Sequence, residues 1–77
     1  MGTLYSKEEK AFLKQIGNSI RAFRTKADLS QEKLSFACEL DRTYIGSVER
    51  GERNISILNL RKIAKALEVK PTDLLNI

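Results

Sequence analysis

Apolar residues recur along most of this chain at helical spacing. Phe12, Leu13, Ile16, Ile20 and Phe23 follow one another at intervals of one, three, four and three positions, which lays them along one side of a helix. Ser6 precedes them with Glu9 three positions on, the pattern of a capping box, so a first helix is expected from there to about Arg24 or Lys26. Gly17 lies inside it and costs about 1 kcal/mol against alanine. Lys10, Lys14, Arg21 and Arg24 take its other faces and read as solvated surface. A second helix starts after Leu29 with Ser30 as its cap, and Leu34, Ala37 and Cys38 form its apolar stripe. Lys33 stands where a capping box would place an acid, while Glu32 in the first turn suits the positive helix end. Phe36 points away from the stripe, either onto the first helix or toward solvent. Further on, Ile57, Leu60, Ile63, Ala64 and Leu67 trace a helix capped by Ser56. Lys70-Pro71-Thr72-Asp73 then opens a last short turn of helix with proline at its first position.

Between these lies a short helix of different character. Glu39-Leu40-Asp41 reads as a tight turn, with Glu39 in the left-handed region at a cost of order 1 kcal/mol. Asp41 is expected to cap the helix that follows, its carboxylate accepting free N–H groups of the first turn. The helix ends near Arg50, with Gly51 just beyond it. At about 100° per residue, Ile45 and Val48 fall together with Tyr44 on their edge. Arg42, Thr43, Gly46, Ser47 and Arg50 fall on the other side. That side carries two guanidinium groups, two hydroxyls and no carboxylate, and Gly46 at its middle allows a close backbone approach. A guanidinium fork matches O6 and N7 of guanine, and small hydroxyls suit base edges or phosphates. This face fits the major groove of DNA, although an ordinary solvated helix can show the same pattern. Arg53 and Asn54, just beyond the helix, stand where a loop would meet phosphate or a groove edge.

Composition narrows the picture. The chain has 77 residues, enough for one domain over residues 1–77 and close to the lower limit for a self-sufficient core. Residues 1–5 read as a mobile tail. One cysteine cannot form an internal disulfide, and Cys38 on an apolar stripe beside Glu39 reads as packing. No apolar run is long enough for a membrane span or a signal peptide, so a cytoplasmic protein without a membrane partner is expected. There is no histidine, no phosphate-cradling glycine loop and no carboxylate cluster with metal spacing; an enzyme, a metal site and a cofactor are not expected. The net charge of +4 is unevenly placed. Residues 1–26 carry six basic and two acidic side chains, whereas residues 41–53 carry three of each. Phosphate attraction must therefore come largely from outside the short helix, helix ends included.

Four stretches in this order resemble the Cro/repressor-type helix-turn-helix proteins. They are Ser30-Gln31-Glu32-Lys33-Leu34, Leu40-Asp41-Arg42-Thr43-Tyr44-Ile45, Val48-Glu49-Arg50-Gly51-Glu52-Arg53-Asn54, and Leu60-Arg61-Lys62-Ile63-Ala64-Lys65-Ala66-Leu67. The resemblance covers about residues 15 to 75. Asp41-Arg42-Thr43-Tyr44-Ile45 with Glu49-Arg50 and Arg53-Asn54, in so short a chain, is most similar to the controller proteins of restriction–modification systems. Ser35, Glu39 and Ile55 depart from the broad pattern, where alanine, glycine and proline are frequent.

The resemblance implies an all-α, compact five-helix bundle of the lambda-repressor-like kind, with the helix-turn-helix at about residues 30–50. It implies that Arg42, Thr43, Tyr44 and Ser47 face the major groove, and that Ser30 and Gln31 at the start of the second helix hold the DNA backbone. Arg50, Arg53 and Asn54 would lie by the backbone or groove edge. The working form would be a homodimer on a two-fold operator in double-stranded DNA, with a second dimer able to join it and RNA polymerase as a partner if the protein activates. Such controllers activate their own operon at low occupancy and repress it when the second dimer binds. The two half-sites would lie about 34 Å apart. Leu67, Val69, Leu74, Leu75 and Ile77 crowd apolar surface into the end at about residues 67–77, which is expected to dimerise. Alternatives are a phage-type repressor, an autoregulating antitoxin, or a helical interaction module that does not bind DNA.

Overall fold

The computed structural model describes residues 4–77 and is all-α over that range. Five helices follow in order: α1 (Lys7–Lys26), α2 (Gln31–Cys38), α3 (Arg42–Glu49), α4 (Ile57–Ala66) and α5 (Pro71–Leu75). The proposed tail falls partly outside the described residues; within them Leu4 is exposed and Tyr5 is half-buried.

Each helix starts where its cap residue predicts. Ser6 and Glu9 close the capping box reciprocally, at 3.1 and 2.9 Å. The hydroxyls of Ser30 and Ser56 accept from the N–H groups of Lys33 and Asn59. Pro71 opens α5, where the Asp73 carboxylate accepts from the Lys70 N–H at 2.9 Å. Asp41 departs from expectation: its side chain makes no capping hydrogen bond, although its backbone is extended as an N-cap requires.

The helix ends share a device that the sequence predicts at two of them, Glu39 and Gly51. Glu39 is left-handed with φ of 59°, and Asp28 and Glu68 adopt nearly the same conformation after α1 and α4. In each case the next N–H turns back to a carbonyl of the preceding turn: Leu29 to Arg24, Leu40 to Ser35, Val69 to Ala64. These bonds satisfy helix carbonyls that would otherwise lack partners and offset the strain of a left-handed side chain. After α3 the residue is Gly51, at φ of 76°, with Glu52 N–H reaching the Ser47 carbonyl at 2.9 Å.

The core is built from Ile16, Ile20, Leu34, Cys38, Ile45, Val48, Leu60, Ile63, Ala64, Leu67 and Leu74. α1 packs on α3 and α5, while α4 joins α2 to α5. Three residues placed on apolar stripes by spacing are exposed. Phe12 is half exposed, Ile57 is largely exposed, and Ala37 faces solvent. Spacing identifies a helix's apolar side but not how much of its length a neighbour covers. α1 is about 30 Å long at 1.5 Å per residue, well over twice the length of the α3 it lies on. Phe36, whose position was open, is exposed.

α1 and α3 meet more closely than ordinary side chains permit. A methyl group at Gly17 would overlap the carbonyl oxygens of Val48 and Glu49, the latter at 2.5 Å. One at Gly51 would sit 2.7 Å from the Cα of Lys14. The two glycines let the backbone of α1 lie directly on the last turn of α3. This contact fixes the α2–α3 unit to the rest of the bundle.

Candidate nucleic-acid interface

Arg42 and Thr43 occupy the exposed first turn of α3. Neither side chain forms a hydrogen bond or ion pair among the described residues. The turn carries no acidic side chain. On α2, the helix packed against α3, the N-terminus has Ser30 as its exposed cap, and the Ser30 hydroxyl takes one first-turn N–H, that of Lys33. Sequence reasoning gave both regions to DNA, and the fold presents them on neighbouring helices in direct contact.

The rest of the wheel needs correction. Ser47 was assigned to the groove-reading side, but it is only 6% exposed and its hydroxyl donates to the Tyr44 carbonyl at 2.8 Å. A serine inside a helix can bond the carbonyl one turn back, and here that bond accompanies burial. Gly46 is also buried. The place where its side chain would begin lies 3.3 Å from Arg50 Nη1 and 3.4 Å from Gln31 Oε1. The close approach at Gly46 is therefore to these two side chains.

Tyr44 is half-buried and packs against the core. Its hydroxyl accepts from Asn59 Nδ2 at 3.1 Å, and the Arg53 guanidinium stands over its ring at 5.6 Å from the centroid. The cation and ring faces attract, so Arg53 and Tyr44 hold each other in place. Asn59 was not foreseen as their support. Arg50 is exposed and bound bidentately by Glu52 at 2.9 and 3.1 Å. This hydrogen bond holds the Glu52 carboxyl below the ordinary glutamate range and raises the Arg50 guanidinium further. Asn54 is exposed and borders a shallow depression with Tyr5, Glu8, Glu9, Phe12 and Leu13 at the start of α1.

Beneath the site lies a polar cluster that sequence reasoning missed. Glu49 is 6% exposed and accepts from Arg24 at both carboxylate oxygens, at 2.6 and 3.1 Å. It also accepts from Gln31 Nε2 at 2.9 Å. Arg24 Nη1 donates in addition to the Leu29 carbonyl at 2.8 Å. Arg24 is thus no part of a solvated face, as its place among the other faces of the first helix implied; its side chain is 11% exposed. A signal was present. Glu49 follows Ile45 and Val48 at helical spacing, and Arg24 follows Ile16, Ile20 and Phe23 in the same way. Two opposite charges on two apolar stripes are a candidate buried pair.

Cys38 is packed as expected, 4% exposed, with its thiol 3.9 Å from the Ser35 carbonyl. Burial raises its pKa above that of a free cysteine, which disfavours the reactive thiolate. At the C-terminal end, Leu67 and Leu74 are buried within the chain's own core and Val69 is half-buried. Leu75 and Ile77 remain 42% and 52% exposed, joined among the exposed apolar residues by Leu58 of α4, which was not foreseen. No helix among the described residues is long and apolar enough to cross a membrane, and no group of acidic and cysteine side chains there is arranged to hold a metal ion.

Known proteins share this sequence and shape. The helix-turn-helix family model matches residues 20–74. Control protein C.BamHI of Bacillus amyloliquefaciens is 54% identical over 61 residues, covering 78% of this chain and 75% of that one. The crystal structure of the restriction–modification controller protein C.AhdI from Aeromonas hydrophila superposes with a TM-score of 0.82 at 48% identity, over 83% of this chain and 97% of that one. The controller protein C.Esp1396I, solved as a tetramer in complex with its natural 35-base-pair operator, superposes with a TM-score of 0.77 at 35% identity, over 84% and 86% of the two chains. With a buried α1–α3 seam, a turn held by Glu39 and a family match over most of its length, this chain belongs to the helix-turn-helix family and, within it, to the control proteins of restriction–modification systems.

Proposed function

We propose that this protein binds a two-fold operator in double-stranded DNA as a homodimer and controls its own restriction–modification operon, activating at low occupancy and repressing when a second dimer joins. The observation that carries the reading is the pairing of Arg42 and Thr43, exposed and without partners, with the open N-terminus of α2 on the adjoining helix. Unpartnered donors on one helix suit base edges, and a helix N-terminus on the helix packed against it suits phosphate. The relative solved as a tetramer on its natural operator supports the same use of the fold. In this reading Arg42 and Thr43 read bases, and Ser30 and Gln31 sit against the backbone. Tyr44, expected among the base readers, has its hydroxyl engaged by Asn59 and is placed with Arg50, Arg53 and Asn54 along the groove edge. Ser47 is left out because its hydroxyl is engaged and buried.

The chain acts by binding, in the cytoplasm, without a cofactor; RNA polymerase is its partner during activation. Residues 1–77 work as one unit, with dimerisation through the end at about residues 67–77. There Leu75 and Ile77 offer exposed apolar surface. Leu67 and Leu74, also expected at the interface, are buried in the chain's own core and are left out of it. Footprinting on the DNA upstream of its own gene tests the proposal. Protection of two symmetric half-sites about one helical turn apart is expected. Equal affinity for unrelated DNA, or sedimentation at the mass of one chain at micromolar concentration, counts against it.

A further inference from the structure

Glu49 joins three helices through one buried carboxylate. Its partners are Arg24 near the end of α1 and Gln31 at the start of α2, and it is itself the last residue of α3. A carboxylate only accepts hydrogen bonds, so the Gln31 side chain must turn its nitrogen toward Glu49 and its oxygen toward Gly46. One hydrogen of Nε2 is then fixed on Glu49 and the second is left for another acceptor. Arg24 binds the same carboxylate on both oxygens and uses Nη1 to hold the carbonyl of Leu29, the residue before the Ser30 cap. The start of α2 is therefore fixed twice, at the backbone leading into it and at its first side chain.

We infer that Arg24 and Glu49 are positioning residues for the phosphate seat at the start of α2, acting through Leu29 and Gln31 without touching DNA. The inference rests on the proposed use of that seat. A glutamine amide on the surface samples many rotamers, and ordering it on contact with phosphate costs affinity. Here the amide is ordered before DNA arrives. The arginine also matters for charge. A lone carboxylate below a phosphate would repel it, whereas the bidentate guanidinium neutralises Glu49.

The decisive variant is the double replacement Arg24→Met with Glu49→Met. Exchanging both members of a buried ion pair for apolar residues of similar volume commonly preserves a fold, whereas removing one leaves an unpaired charge. The double variant should keep its helical circular dichroism and lose operator affinity about tenfold, the scale of one hydrogen bond to a charged group. Gln31→Ala should cost about as much in the natural protein and less than about twofold in the double variant. A purely structural ion pair would instead leave a folded double variant at full affinity, and an undiminished effect of Gln31→Ala in that background would overturn the inference. A second measurement needs no variant. The Gln31 side-chain amide of the free protein should show a nuclear magnetic resonance order parameter near that of rigid backbone, about 0.85, and a value below about 0.6 would refute its pre-ordering. If the natural protein binds no operator, the functional proposal itself fails, which these comparisons among binding-competent proteins would not mimic.

Discussion

The two ends of α3 are built on opposite principles. At its C-terminal end nearly every group is committed. Glu49 is buried with three donors on it, Gly51 turns the chain back, and Gly17 admits the α1 backbone against the last carbonyls. At its N-terminal end little is committed. Arg42 and Thr43 are exposed, and Asp41 begins the helix without a side-chain cap. A helix that must meet another molecule with precision needs one end fixed and the other available. The fixed end supplies orientation, and the available end supplies donors that lose no internal bond on binding.

The largest effect should come from disturbing the fixed end. Gly17→Ala gains about 1 kcal/mol of helix propensity, but its methyl group overlaps two backbone carbonyls that have no rotamer to change. Only separation of α1 from α3 relieves the overlap, so a net loss of about 2–3 kcal/mol is expected. For a domain of this size that lowers Tm by about 10 °C or more. Thermal denaturation measures it, and an unchanged or raised Tm would show that the seam is looser than described. Gly17 read from sequence alone is a liability of about 1 kcal/mol; in the fold the same residue is what lets α1 and α3 touch.

At the available end the pattern should invert. Arg42→Ala removes an exposed side chain with no partner, so Tm should stay within the change expected of about 0.5 kcal/mol. Operator binding should weaken by about 1–3 kcal/mol, with relaxed preference at one base pair. Binding assays on the operator and on single-base variants separate the two outcomes. Equal weakening on every sequence would make Arg42 a phosphate contact and not a base reader.

This contrast also explains what could be read from the chain before its structure. Helix starts were legible because a serine cap acts locally: Ser6, Ser30 and Ser56 each bond an N–H within three residues. The left-handed turn at Glu39 was legible because two helices so close together need one. Most of the core followed from periodicity. The misreadings share a cause. Wheel position alone misplaces Ser47, Gly46 and Arg24: Ser47 turns its hydroxyl onto its own helix, Gln31 of α2 and Arg50 cover Gly46, and Glu49 of α3 takes Arg24. A single helix carries no record of which neighbour will close over its flank. Glu49 is hard to read for the opposite reason: the carboxylate-free side of α3 marks the DNA face, while the informative carboxylate lies on the apolar side.

Arg50 gives the smallest and finest test of the contrast, because it belongs to the fixed end by position yet is exposed like Arg42. Its partner Glu52 is equally exposed, so the pair contributes little to stability in water and less in salt. A titration can still detect it. The Glu52 carboxyl is held below its ordinary value, first by the hydrogen bond from Arg50. A depressed carboxyl contributes stability that is fully present above its unfolded value, about 4.3, and is lost as pH falls through the folded one. Arg50 stays protonated throughout, so only the carboxyl sets this window. Glu52→Gln should therefore lower Tm slightly near neutral pH, and the gap to the natural protein should close on the acid side of about pH 4. Added salt should narrow the same gap at neutral pH. A gap that persists unchanged into acid would mean that the carboxyl's charge is irrelevant, and Arg50 would then join Arg42 as a side chain held by nothing until DNA arrives.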